Sequence, residues 1–436
     1  MYVVLGNVAR IVLNTFGSFG DLHPFLAIAI ELRRRGHEPV IATAEVYRHK
    51  VGAEGIEFAP VRPDLGALLE DRKLIERVWD PRRGTEYLLR EVIFPAVEDS
   101  FADLIDASYD ADLLVTHTAG YAGPIVADAL RKPWISVALQ PMVFFSAFDP
   151  PVLAPARWFK HFYRLGRWPF LMARRVARRR VRSWIEPILR LRRRLGLPVT
   201  ANPVFEGQFS PYGTLALFSR HYAQPQPDWP ANVSVTGFVF YDQLGAGFAE
   251  GGAPWENTRL AEFLDEGPAP VVFTLGSSAV MHAGTFFEES AEAAQRLGFR
   301  AVLLTGRQAQ ALAGLPSSVF AAPYAPYSQL LPRAAAAVHQ GGIGTTAQAL
   351  SAGKPMLVVP WAHDQPDNAE RVRRLGVAKT LARRRYTGAR AAAAIRELLD
   401  RSRYAETAAA IRNRLLSEDG TAAACDRIEE LTGRAN

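Results

Sequence analysis

The chain has 436 residues, 49% apolar and 22% charged, which excludes a disordered polypeptide and exceeds one ordinary core, so two domains are expected. A single cysteine, Cys425, excludes an intrachain disulfide and a cysteine-cluster metal centre; no apolar run reaches the ~18 residues that span a bilayer, and no basic segment with a cleavage site opens the chain, so a cytoplasmic protein is expected. The net charge of +7 is concentrated: residues 157–194 carry fourteen Lys/Arg against Glu186 alone, a net +13, leaving −6 elsewhere.

Residues 1–8 read as an uninformative extension. Ala9 to Thr15 forms an apolar strand, and Phe16-Gly17-Ser18-Phe19-Gly20-Asp21-Leu22-His23-Pro24 reads as a glycine loop before a helix from Phe25 to Arg35. Further strands are expected at Glu38–Ala42, Leu113–Thr116, Trp134–Leu139, Leu215–Phe218 and Val233–Thr236. Such strand–helix alternation predicts a parallel sheet. The Pro- and aromatic-rich stretch 141–170 breaks the pattern and is expected to form loops and short helices. Phe144, Phe145, Phe148 and Trp158 there are candidates for an apolar pocket, or for ordinary core.

The basic segment interleaves arginines with Trp158, Phe159, Phe162, Trp168, Phe170 and Trp184. It reads as a solvated helix face or as an amphipathic helix for an anionic membrane surface. Nucleic-acid binding is not expected, because no nucleic-acid module accompanies the charge. Glycines 245, 247, 251 and 252 make 237–256 the linker, between an N-terminal domain 1–236 and a C-terminal domain 257–436.

The second half repeats the alternation: strand Pro270–Leu275, turn Gly276-Ser277-Ser278, a helix near 284–297 and strand Arg300–Thr305. Ala334 to Val338 then forms a buried strand ending at His339. Gly341, Gly342 and Gly344 follow, and Thr345 and Thr346 open an Ala/Leu-rich helix that stops at Gly353-Lys354-Pro355. Glycines let backbone approach a ligand closely, and a helix N-terminus offers free N–H groups to an anion. His339 and the threonine hydroxyls add donors for a diphosphate. Strand Met356–Pro360 delivers His363, Asp364 and Gln365 to the same edge, where a carboxylate and an amide suit vicinal sugar hydroxyls. A glycine turn alone also serves packing; the whole ordered set is what argues for a nucleotide-sugar site.

From Tyr324 to Asn368 the text resembles the donor-binding signature of GT-B glycosyltransferases of the UDP-glycosyltransferase superfamily, in the bacterial His-x-Gly-Gly-x-Gly-Thr form. The flanking sequence is similar to rhamnolipid rhamnosyltransferases and bacterial flavonoid glycosyltransferases. The resemblance covers nearly the whole chain and is strongest over 320–380 and the first 60 residues. It implies an α/β fold of two Rossmann-like domains facing across a cleft, with a last helix crossing back to the first domain, for which residues 403–418 are the candidate. It also implies inverting transfer of a sugar to a hydroxyl, with no metal and no cofactor beyond the nucleotide sugar.

Individual roles follow from the same resemblance. Asp21 aligns with the position of the catalytic base, and it serves as base or as a loop or cap carboxylate. His23 is offset by two positions and is expected to pack or to hydrogen-bond locally. His117 stands in Val115-Thr116-His117 where relatives place an acidic partner of the base, so an Asp21–His117 pair is expected, or an ordinary lining histidine. Tyr324 occupies the position that stacks on the nucleobase. Ser277, His339, Gly341, Gly342, Gly344 and Thr345 are expected at the diphosphate, with helix capping the alternative for Ser277, and Asp364 and Gln365 at the sugar. Phe16 and Phe19 join Phe144, Phe145 and Phe148 as acceptor candidates. Ala347 stands where plant relatives grip both ribose hydroxyls with Glu, which favours a dTDP-linked donor carrying rhamnose or glucose over UDP-glucose. The partners expected are this donor and a small apolar hydroxylated acceptor, flavonoid or hydroxy-lipid, with peripheral membrane contact through 157–194 and a monomeric or weakly dimeric state. A nucleotide-sugar epimerase or a non-catalytic nucleotide-sugar-binding protein of the same fold remains open.

Overall fold

A computed structural model of the chain describes residues 8–64, 66, 71–199, 201–241, 258–306 and 314–433. Contacts divide it into two units: Met1–Val78 with Arg82–Tyr241 and Glu418–Asn436, and Trp79–Pro81 with Asp242–Ser417. Of the expected linker 237–256, residues 237–241 belong to the first unit and the rest lies outside the described residues, as does the extension 1–7.

The first unit is a parallel sheet in the order β3-β2-β1-β4-β5-β6-β7. Its strands are β1 Arg10–Asn14, β2 Glu38–Thr43, β3 Glu57–Pro60, β4 Leu113–His117, β5 Trp134–Ala138, β6 Thr214–Ala216 and β7 Val233–Val235. The central strands are continuous apolar runs because helices cover both faces. On one face Val12, Val40 and Leu114 pack with Val126 and Ala127 of helix Gly123–Leu130. The chain leaves β1 toward β2 and returns later to β4, so the carboxyl ends of β1 and β4 flank the switch point where open sheets bind ligands.

The second unit repeats this plan with β8 Val271–Thr274, β9 Ala301–Leu304, β10 Val319–Ala322, β11 Ala336–His339, β12 Met356–Val358 and β13 Ala378–Thr380, in the order β10-β9-β8-β11-β12-β13. His339 pairs in register with Thr274 on one side and Val358 on the other, which places the glycine turn at the β8/β11 switch point. The α/β architecture expected from the sequence is therefore present in each unit.

Two expectations need correction. The first helix begins at Phe19, six residues early, and contains Pro24; Ser18 is its N-cap, so Asp21 lies in a helical first turn and not in a loop. Helix Ser402–Leu415 stays with the second unit against Ile343–Ser351, whereas Gly420–Thr432 joins the first unit beside Phe19–Arg34. Arg35 pins that last helix through Asp426 at 2.6 Å and Glu429 at 2.8 Å, and the buried Cys425 thiol donates to Ile28 O at 3.7 Å. Burial pushes that thiol up to about 12, so it stays protonated.

Candidate active site

The second unit's site is built on one strand end. His339 ends β11 fully buried, and the Gly341 N–H donates to its Nδ1 at 3.1 Å. That bond fixes the ring proton on Nε2. Burial lowers the ring's pKa to about 3, so the imidazole is neutral, and Nε2 has no partner among the described residues. Gln340 Oε1 and Thr346 Oγ1 are likewise buried and unmatched. A group of buried, unmatched polar atoms at a strand end is what a polar ligand would satisfy.

Glycine is required around this ring for steric reasons. Gly341 has φ +90°, and a Cβ there would lie 2.7 Å from Val358 Cγ1. At Gly342 a Cβ would come within 2.9 Å of Gln340 Nε2, whereas at Gly344 nothing lies within 4 Å and the backbone faces open space. The helix Ile343–Ser351 has Gly342 as its N-cap with no side-chain cap, and it begins two residues before Thr345. Its first N–H groups and positive dipole end thus remain available to an anion beside the exposed Ser277. Ser277 lies within the helical turn Gly276–Ala279 and caps nothing, so the capping alternative is removed. Tyr324 follows β10, half-buried.

Asp364 occupies the N-cap of helix Gln365–Arg374 without capping a backbone N–H. Its Oδ2 instead accepts from Asn368 Nδ2 at 2.6 Å, and the same amide donates to Gly341 O at 2.9 Å. Asn368, absent from the sequence reading, therefore ties the glycine turn to the acidic residue. Gln365 Oε1 accepts from Trp361 N at 2.8 Å and Ala362 N at 3.3 Å, which orients its amide and leaves the Nε2 donors without a hydrogen-bond partner among the described residues.

In the first unit, Asp21 Oδ2 accepts from Ser18 N at 2.7 Å and Ser18 Oγ at 3.1 Å, while Oδ1 accepts no hydrogen bond from the described residues. Gly17 has φ +135°, and a Cβ there would lie 2.2 Å from Oδ2. His117 ends β4, buried, with both ring nitrogens short of a well-formed hydrogen bond. Burial lowers its pKa, while the Asp21 carboxylate and the Phe16 carbonyl act in the opposite direction. Asp21 and His117 are therefore electrostatic neighbours at the β1/β4 switch point. His23 packs as expected, between Phe19 and Tyr241, and burial lowers it to about 3.

The acceptor candidates separate. Phe16 lines a cavity at the switch point with Asn14, Ile93, Val97 and Tyr121, the last of which the sequence gave no reason to single out. Phe19 lies against His23 and Tyr47. Phe144 is core: 5% exposed, it stacks on Trp229 at 4.2 Å and Phe209 at 5.3 Å, with no face left for a ligand. Phe145 packs on Phe205 at 5.0 Å, and Phe148 lies exposed beneath the Arg167 guanidinium. Trp158 is exposed, against the rings of Phe159 and Phe162 of its own segment.

Two family models match. The glycosyltransferase family 28 N-terminal domain covers residues 11–98, and the erythromycin biosynthesis protein CIII-like C-terminal domain covers 295–431. The chain is 33% identical over 442 residues to O-mycaminosyltylonolide 6-deoxyallosyltransferase of Streptomyces fradiae, covering 97% of each. The crystal structure of the glycotransferase of kitacinnamycin superposes with TM-score 0.70 at 24% identity, covering 97% of this chain and 99% of that one. A spinosyn rhamnosyltransferase complexed with thymidine diphosphate gives 0.67 at 18% identity, covering 97% and 100%. Fold and matches together define a glycosyltransferase. The chain belongs to the UDP-glycosyltransferase superfamily, among its bacterial GT-B members.

Proposed function

We propose that this enzyme transfers a sugar from a dTDP-linked donor, rhamnose or another 6-deoxyhexose first and glucose second, to a hydroxyl of a small apolar acceptor. The observation that carries the donor reading is the His339–Thr346 turn, where a buried neutral Nε2–H stands beside an uncapped helix N-terminus. A neutral donor suits a diphosphate because its hydrogen bond persists across the neutral pH range. The buried methyl of Ala347 makes no bond to ribose hydroxyls, so a deoxyribose loses least there. The thymidine diphosphate bound by the spinosyn enzyme and the 6-deoxyhexose in the Streptomyces relative's name agree with that reading.

In the proposed step the acceptor hydroxyl gives its proton to the Asp21–His117 pair. Asp21 Oδ1 is the first choice, since Oδ2 is held by Ser18. The acceptor oxygen forms a bond to the anomeric carbon as the bond from that carbon to the diphosphate breaks, and its electron pair leaves on the diphosphate. The His339 Nε2–H and the helix N–H groups meet that growing charge. Attack opposite the leaving group inverts the anomeric centre. The charge is met by protein donors, so no metal or other cofactor is assigned a step. Asp364 and Gln365 orient the sugar hydroxyls, and Tyr324 stacks on the base.

Calorimetry of dTDP and UDP against the same protein tests the donor assignment. Tighter binding of dTDP is expected; tighter binding of UDP would overturn it and move the donor to UDP-glucose.

A further inference from the structure

The basic segment is not a uniformly solvated helix face. A 3₁₀ stretch Ala154–Leu165 and the helix Trp168–Val181 place apolar side chains on the outside: Leu165 is 71% exposed, Trp168 70%, Val176 64% and Trp158 62%, with Phe162 and Met172 also exposed. Trp168, Met172 and Val176 are four residues apart and form one stripe along the helix. Large apolar side chains clustered in water mark a surface that something else covers.

The charges around the stripe identify the cover. Arg178 pairs with Glu206, Arg180 with Glu86, Arg192 with Asp128, Arg193 with Glu186 and Arg194 with Glu98. Arg164, Arg175, Arg179, Arg182 and Arg190 have no acidic partner among the described residues. Arg175 and Arg179 follow Met172 and Val176 by three residues and so border the stripe directly. Tryptophan beside unpaired arginine suits the interface of a bilayer, where the ring sits at headgroup level and the guanidinium meets phosphate.

We propose that this face docks the enzyme on an anionic membrane surface. Membrane attachment is independent of the donor assignment. The attachment proposed is peripheral; no helix among the described residues is long and apolar enough to cross a membrane. Each arginine near an anionic surface contributes about fivefold to partitioning, and the contribution is screened by salt.

The test is co-sedimentation of the full chain with vesicles of phosphatidylcholine alone and of phosphatidylcholine mixed with phosphatidylglycerol. Binding to the anionic vesicles is expected, falling as salt rises. Arg175→Glu with Arg179→Glu should lower the partition coefficient by more than about 20-fold. Trp168→Ser with Val176→Ser should lower it by more than about tenfold, and a parent-like circular dichroism spectrum and urea midpoint would show that both variants fold. Absence of sedimentation with either vesicle, equal binding to both, or unchanged binding by the arginine variant would each overturn the proposal. So would a concentration-dependent dimer abolished by Trp168→Ser with Val176→Ser, because a second copy would then be the cover.

Discussion

Replacing His339 separates a phosphate donor from a loop clamp, because its two nitrogens do different jobs. Nδ1 accepts from Gly341 N at 3.1 Å, and Nε2–H is buried with no partner among the described residues. His339→Asn retains an acceptor where Nδ1 was and removes the far donor. A hydrogen bond to a charged group contributes roughly 1.5–3 kcal/mol, so dTDP affinity should fall about 10- to 100-fold. Stability should change by less than about 2 kcal/mol, because the Gly341 N–H keeps its partner. His339→Ala loses the same donor, orphans that N–H and opens a cavity, adding roughly 2–4 kcal/mol of destabilisation. Calorimetry with dTDP and urea denaturation of both variants read the two effects separately. Parent-like affinity in His339→Asn, with weak binding only in His339→Ala, would refute the donor role and leave His339 as a clamp.

Asp21→Asn retains an oxygen for the Ser18 N–H but loses the charge, so transfer should fall at least about 100-fold while dTDP binding persists; unchanged turnover would remove Asp21 from the chemistry. Phe144→Ala should cost roughly 3–5 kcal/mol of stability, since Phe144 stacks inside an aromatic core, whereas Phe16→Ala should chiefly raise the acceptor KM; the opposite pattern would reverse the assignment made from burial. His339 and His23 titrate near 3 in the folded chain against an ordinary 6.5, so the fold favours their neutral forms. Their stabilisation is complete above pH 6.5 and is lost as pH falls toward 3, about 2 kcal/mol for each between pH 7 and 5; equal urea midpoints at those two pH values would contradict this.

Legibility in the sequence follows burial. The central strands β1, β4, β5, β8 and β11 are apolar runs covered on both faces, and periodicity finds them within one or two residues. The three strands it does not find, β3, β10 and β13, all lie at sheet edges, and Glu57-Phe58-Ala59-Pro60 is barely apolar. Backbone pairing with one neighbour creates such strands, and composition does not record it. The late start given to the first helix has a local cause. Phe16 to Pro24 looks like punctuation because it holds two glycines and a proline, yet Ser18 and Asp21 form a capping box that opens the helix at Phe19. The candidate donor residues His339 to Thr345 are adjacent in the chain around the end of β11, so the sequence groups them without help from the fold. Asn368 was not legible, because its importance lies in joining Gly341 O to Asp364, which only the folded chain brings together. Phe144 and Phe16 are the same residue type in similar apolar text; burial alone tells core from cavity lining.

The capping box at Asp21 bears on the chemistry as well as the fold. A carboxylate that caps a helix is often complete in that role, and a sequence offers no means of choosing between cap and base. Here the two oxygens differ: Oδ2 takes both bonds from Ser18, while Oδ1 accepts none from the described residues. The cap therefore holds the group that the proposed base needs. Gly17 must be glycine, because a Cβ would lie 2.2 Å from Oδ2 at a φ of +135°. Tyr47 fixes the same turn by donating to Gly17 O at 2.7 Å. His117 stands on the neighbouring strand: burial lowers its pKa, and the Asp21 carboxylate opposes that shift. In the proposed step a proton taken from an acceptor goes to Asp21 Oδ1 or to His117, and the capping box at the helix start holds the Asp21 carboxylate in place.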